Sequence, residues 1–247
     1  LFLRLLKPVS AYSHEPFVEV TMDDEDDPEG SEVGIYLATR PSRQLDQWAR
    51  DIRRRDREDT THKTDDGVSM LSLDPLRWRD MRQVGRWTPE VIGELGIPVK
   101  TIRGDQMAFA SQTFIALAVR RIDLEAVGFV SFATKWNINS HDEDTAELEV
   151  EPDQAWIDPA YRRQRRGELM ACVISEVVGH QIQELDDTTR WTPDFPTKLD
   201  ICVIADIYSK SGEAFLDKCA DAVETELNWW LDLKGMTVTR LSCRPCW

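Results

Sequence analysis

Between residues 146 and 185 one periodicity gives way to another across a single basic loop, and this limits the chain's fold more than any other feature. In Ala146–Ile157, Glu147, Glu149 and Glu151 alternate with Leu148 and Val150, the period of a strand with its carboxylates on one face. From Arg166 to about Leu185, the apolar residues Leu169, Val173, Val177, Ile182 and Leu185 recur at helical spacing. Pro159 blocks continuation of the strand, and a polar loop opens directly into the helix. A helix that starts on a tight loop presents unpaired backbone amides and a partial positive charge, a natural seat for a phosphate or diphosphate. Arg162, Arg163, Arg165 and Arg166 crowd that start, in a chain whose formal net charge is −15.

The surrounding pattern is mixed. Thr113–Arg120 and Ala126–Trp136 read as strands joined by a turn at Arg121–Glu125. Leu199–Ile207 is a strand of buried type, and Ser211 to about Leu233 a helix with Phe215, Cys219, Val223, Leu227 and Trp230 inward. Met236–Cys243 closes an order β-β-β-α-β-α-β from Met107. Earlier, Leu1–Leu6, Phe17–Thr21 and Val33–Thr39 read as short strands, with an acidic loop Asp23–Gly30 between the last two. Ser42 caps a helix reaching Glu58, with Leu45, Trp48 and Ile52 as its apolar stripe. A polar linker Asp59–Gly67 and helical pieces around Asp74–Val84 and Pro89–Leu95 follow. Two parts are expected: an N-terminal β/helical extension over 1–104 and the main domain over 105–247.

Charge bears on partners. A chain at −15 is a poor match for nucleic acid and a better one for a cationic substrate. The arginines between Arg50 and Arg57 alternate with Asp46, Asp51, Asp56 and Glu58, which reads as a salt-bridged helix face. The longest uncharged stretch, Met107–Val119, is short of the ~20 residues that span a bilayer, so no membrane partner is expected. Leu1–Pro8 is broken by Arg4 and no cleavage pattern follows. Five cysteines do not make a disulfide framework, so a cytoplasmic location is expected. Cys243 and Cys246 form a lone CxxC, and His14, His62, His141 and His180 lack ligand spacing, so no metal is expected.

The string Ile157-x-Pro159-x-Tyr161-Arg162-Arg163-x-Arg165-x-Gly167, followed by an amphipathic helix, resembles the acetyl-CoA-binding motif of the GNAT superfamily of N-acetyltransferases. Arg162 and Gly167 fall on the first and last positions of that motif's core, while Arg163 and Arg165 stand where the family usually has glycine. The likeness covers roughly residues 105 to 240 and implies a mixed α/β fold with a mostly antiparallel central sheet flanked by helices.

What the resemblance implies is transfer of an acetyl group from acetyl-CoA to a primary amine, either a cationic small molecule or a protein lysine or N-terminus. Strands Ala146–Ile157 and Leu199–Ile207 would part to admit the pantetheine arm. Backbone groups near Trp156 and Ile157 would pair with that arm. The loop of Arg162, Arg163, Gln164, Arg165, Arg166, Gly167 and Glu168 would hold the diphosphate. Glu151, or Glu149 on the same face, is the candidate base, with acidic neighbours expected to raise its pKa toward working pH. Tyr208 is the candidate acid for the departing thiolate. The alternative is a non-catalytic module of the same fold, and a homodimer is left open.

Overall fold

Helix α1 (Arg43–Glu58) starts where the sequence places a cap: Ser42 is extended and its side chain accepts a hydrogen bond from the Leu45 amide at 3.1 Å. Leu45, Trp48 and Ile52 are buried as the stripe requires. The computed structural model describes residues 3–4, 17–22, 32–38, 42–59, 107–139, 144–189, 196–206, 210–229 and 232–246. The acidic loop Asp23–Gly30, the linker beyond Asp59, both expected helical pieces between 74 and 95, Tyr208 and Trp230 lie outside the described residues.

Among the described residues, eight strands form one sheet in sequence order: β1 (Leu3–Arg4), β2 (Phe17–Met22), β3 (Val33–Ala38), β4 (Met107–Arg120), β5 (Glu125–Asn139), β6 (Thr145–Ile157), β7 (Lys198–Asp206) and β8 (Thr237–Cys246). Pairing is antiparallel from β1 through β6, then parallel for β6 with β7 and β7 with β8. The two parallel steps are crossovers through helices α2 (Arg166–Thr189) and α3 (Lys210–Trp229). This is the mixed, mostly antiparallel sheet with flanking helices that the motif implies. Strand β3 pairs with β4 along Val33–Ala38, so the N-terminal strands continue the same sheet.

The sheet is covered on both faces. On one, Val130, Phe132, Leu148, Val150 and Ile201 meet Val173, Val177 and Ile182 of α2, and Cys219 and Val223 of α3. On the other, Ile115, Leu117, Phe129 and Trp156 meet Leu45, Trp48 and Ile52 of α1. Trp48 meets Phe17 edge-on and Tyr36 at a tilt, with ring centroids 5.0 and 5.7 Å away, and donates its indole N–H to the Leu124 carbonyl at 2.8 Å. Arg54 and Arg55 of α1 pair with Glu125, and Arg55 also pairs with Asp158. The expected salt bridging of this helix therefore reaches across to the sheet, beyond the acids interleaved on the helix itself. No described helix is long and apolar enough to cross a membrane.

One buried carboxylate fastens the last crossover. Asp186, near the end of α2, is fully buried and accepts the backbone amides of Lys234, Gly235 and Met236 at 3.0, 2.7 and 2.6 Å. These hydrogen bonds hold the turn that feeds β8 into the sheet. Asp186→Ala leaves all three amides without this acceptor, at a cost of about 3 kcal/mol. A thermal midpoint lower by roughly 6–12 °C is expected in calorimetry. An unchanged midpoint would show that the turn is held by other contacts.

Candidate functional site

The site begins where two parallel strands stop pairing. The β6–β7 ladder runs from Thr145↔Lys198 to Val150↔Val203 and ends there. Beyond that point, among the described residues, β6 pairs with β5 and β7 with β8. Pro152 explains the break, because it has no N–H to offer a ladder and tolerates only edges and bulges. The next residue, Asp153, is a β-bulge: Ser131 pairs with Gln154 and Phe132 with Pro152, leaving Asp153 as the extra residue. The insertion reverses the facing of the strand. Leu148 and Val150 face α2, whereas Trp156 faces α1 and Ile157 turns back toward α2. Gly128 on β5 permits the close approach here, since a Cβ on it would sit 3.0 Å from the Trp156 carbonyl oxygen.

The parted strands enclose a cavity of about 420 Å³, within the range of small-molecule sites. Pro152 to Ile157 form one wall and Ala205 and Asp206 the other. Arg162, Gly167 and Met170 close it from the α2 side, and Ser211, Gly212 and Phe215 from α3. The first turns of two helices thus flank one opening, and each helix start carries a partial positive charge. The edge of β6 beyond Val150 has no β7 partner, so an extended ligand can add to it as a strand would.

The loop into α2 is shaped by two residues in an unusual conformation. Asp158 caps a 3-10 turn over Pro159–Tyr161, its side chain accepting the Ala160 amide at 2.8 Å. Arg163 and Arg165 then take φ of 61° and 59°, in the left-handed region that favours glycine. These are the two positions at which arginine stands where the resembled motif usually has glycine. The backbone therefore adopts the glycine conformation with arginines in place, at about 1–2 kcal/mol each. The Arg165 carbonyl accepts the Leu169 amide at 3.1 Å and so opens the helix. A Cβ on Gly167 would meet nothing within 4 Å, so the space above it is left open by the protein itself.

Several expected residues come together and others do not. Trp156, Ile157, Arg162 and Gly167 line the cavity. Arg163, Gln164, Arg165, Arg166 and Glu168 belong to the adjoining loop and first helical turn. Gln164 donates to the Ala160 carbonyl at 3.1 Å, and Arg162 Nε to the Ile157 carbonyl at 2.7 Å. Glu168 accepts from Arg165 at 2.7 Å and from Lys218 of α3 at 2.9 Å, and these two cations, Arg165 foremost, hold its carboxyl below the usual range. Lys218 also lines the cavity and was not found from sequence, because only the packing of α3 on α2 brings it there. Glu149 and Glu151 share the half-buried face of β6, with Glu151 ion-paired to Lys135 of β5 and outside the cavity lining. Tyr161 is buried, its hydroxyl 3.2 Å from Arg120 and 3.3 Å from Glu32. Among the described residues no group of three or more His, Cys, Asp or Glu is placed to hold a metal.

No protein-family model matches the chain, and no curated protein matches it. Among solved structures, a candidate ribosomal-protein-serine acetyltransferase from Vibrio cholerae aligns over 75% of this chain and 78% of its own, at 15% identity and a TM-score of 0.27. A likeness that slight carries no argument about activity.

The left-handed loop gives a test of opposite signs at one exposed position. Arg163→Gly removes the steric cost and adds freedom to the unfolded chain, for a net gain of about 0.5 kcal/mol or less. Arg163→Val places a β-branched side chain at positive φ and is expected to lose more than about 1 kcal/mol. Urea midpoints separate the two. Equal losses from both would mean that the backbone is relaxed at residue 163.

Proposed function

We propose that the chain binds acetyl-CoA between β6 and β7 and passes the acetyl group to a primary amine. The observation that carries this is the left-handed conformation of Arg163 and Arg165, at the motif's glycine positions, beside a cavity opened by two parting strands. The pantetheine arm would lie along the free edge of β6 near Trp156. The diphosphate would sit on the first amides of α2, with Arg162, Arg165 and Lys218 within reach of its charge. Glu151, or Glu149 beside it, would take the ammonium proton. A lysine-like amine with pKa near 10.4 needs roughly 4–5 kcal/mol to deprotonate at neutral pH, and a carboxylate base lowers that barrier. For Glu151 to act, its ion pair with Lys135 must open or relay the proton through water. That ion pair also favours a second reading, in which the chain binds the coenzyme without turnover.

Calorimetry with acetyl-CoA tests the binding step. Gly167→Trp fills the open space above the helix start, so binding should vanish while the thermal midpoint stays within a few degrees of wild type. Retained affinity in that variant would remove the loop from the site. Raised salt should weaken binding by wild type, because part of the attraction is screened.

Release of free CoA thiol on addition of an amine panel separates transfer from binding alone. Glu151→Gln should lower kcat by roughly 10²–10⁴-fold with little change in coenzyme affinity. The deficit should narrow at high pH, where the amine arrives neutral. Wild-type turnover by this variant at neutral pH would move the base to Glu149 or to water.

A further inference from the structure

We propose that Asp59, the residue that ends α1, is a positioning residue for the diphosphate loop, acting through Arg162 and Trp156. This rests on the coenzyme-binding reading of that loop. The Asp59 side chain is 1% exposed. Its Oδ2 accepts the Trp156 indole N–H at 3.2 Å and pairs with the Arg162 guanidinium. Arg162 in turn donates Nε to the Ile157 carbonyl at 2.7 Å. One guanidinium therefore ties the end of β6 to the end of α1, and the residue after it is the first of the two left-handed arginines.

The carboxylate is itself fixed. Its backbone amide donates to the Arg55 and Asp56 carbonyls at 3.0 and 3.1 Å, closing the helix. Its side-chain partners lie 97 and 103 residues away in sequence, so the contact is not local capping. Both Trp156 and Arg162 line the cavity, whereas α1 is held to the sheet by Leu45, Trp48 and Ile52. Loss of the carboxylate therefore acts on the cavity wall and the loop more than on the seating of the helix. A strained backbone persists only where its surroundings over-determine it, and Asp59 fixes the residue at which the strained segment starts.

The test uses the full chain and Asp59→Asn, Arg162→Gln and the double variant. Without ligand, amide hydrogen exchange at residues 163–168 should quicken about tenfold in each single variant and no further in the double, because both break one coupled contact. The interior of α2, Val173–Val178, should exchange as in wild type. With acetyl-CoA, the Kd should rise about tenfold in Asp59→Asn, the effect of one such coupling, and at least as much in Arg162→Gln, which also removes a cation beside the diphosphate. Wild-type loop exchange in both single variants overturns the proposal, and so does exchange that rises uniformly through α1 and α2. Two single effects that add in the double variant also overturn it. If Asp59→Asn does not fold, Arg162→Gln decides alone from the half-buried end of the contact. A wild-type protein without acetyl-CoA affinity, but with quickened loop exchange in the variants, leaves Asp59 in its role and removes the coenzyme reading instead.

Discussion

The failure of β6 and β7 to stay paired beyond Val150 and Val203 is the constraint on which the site depends. Parallel strands joined by a crossover helix would ordinarily continue their ladder, since each lost pair leaves backbone groups in want of partners. Here Pro152 withholds a donor and the bulge at Asp153 turns the strand, so the gap is written into β6 itself. The result is a strand edge without a neighbouring strand on that side, where an extended ligand can pair as a strand would. The same bulge exchanges the facing of alternate residues, which is why Val150 can belong to the α2 core and Trp156 to the α1 core within one strand.

The attachment of α1 divides its labour between two kinds of force. Full burial of Leu45, Trp48 and Ile52 contributes about 1.5–3 kcal/mol each, enough to seat the helix. The Arg54–Glu125 pair adds less, because exposed pairs are worth about 0–1 kcal/mol and Arg54 is 59% exposed, while the largely buried Arg55 pairs offset their gain against desolvation. Their value is directional. Glu125 also takes Arg120, which reaches the Tyr161 hydroxyl, and Asp158 caps the 3-10 turn. The helix is therefore placed by apolar contact and its register against the loop is set by charge.

Much of this was legible in sequence because it is local. The alternation of Glu147, Glu149 and Glu151 with Leu148 and Val150, the Ser42 cap and the stripe of α2 each announce themselves within a few residues. Strand and helix ends were less so: β4 is already formed at Met107, ahead of the expected Thr113, and Leu233, the expected end of α3, is not helical. The bulge at Asp153 has only Pro152 as a local sign. Lys218 and Asp59 were not legible at all, since their places come from α3 packing on α2 and α1 packing on the sheet. Asp59 read as the first residue of a polar linker, and only its distant partners show it as a buried anchor.

The arginines at the glycine positions pose a choice between backbone comfort and field. Glycine at residues 163 and 165 would remove about 1–2 kcal/mol of steric cost at each. Arginine keeps that cost and adds positive charge to the loop that leads into α2, where Arg165 reaches Glu168 of the first turn. In a chain at −15 the two effects are not equivalent for an anionic ligand. Exposed carboxylates more than about 8–10 Å away are largely screened at physiological salt, so the local sign at the loop outweighs the net charge. Part of that local charge is spent on Glu168, which engages Arg165 and Lys218 in the unliganded protein. A diphosphate arriving at the first amides of α2 would compete with this carboxylate for the same two cations. Affinity would then depend on the difference between two anions at one helix start, and replacing Arg165 by glycine would remove a partner from both.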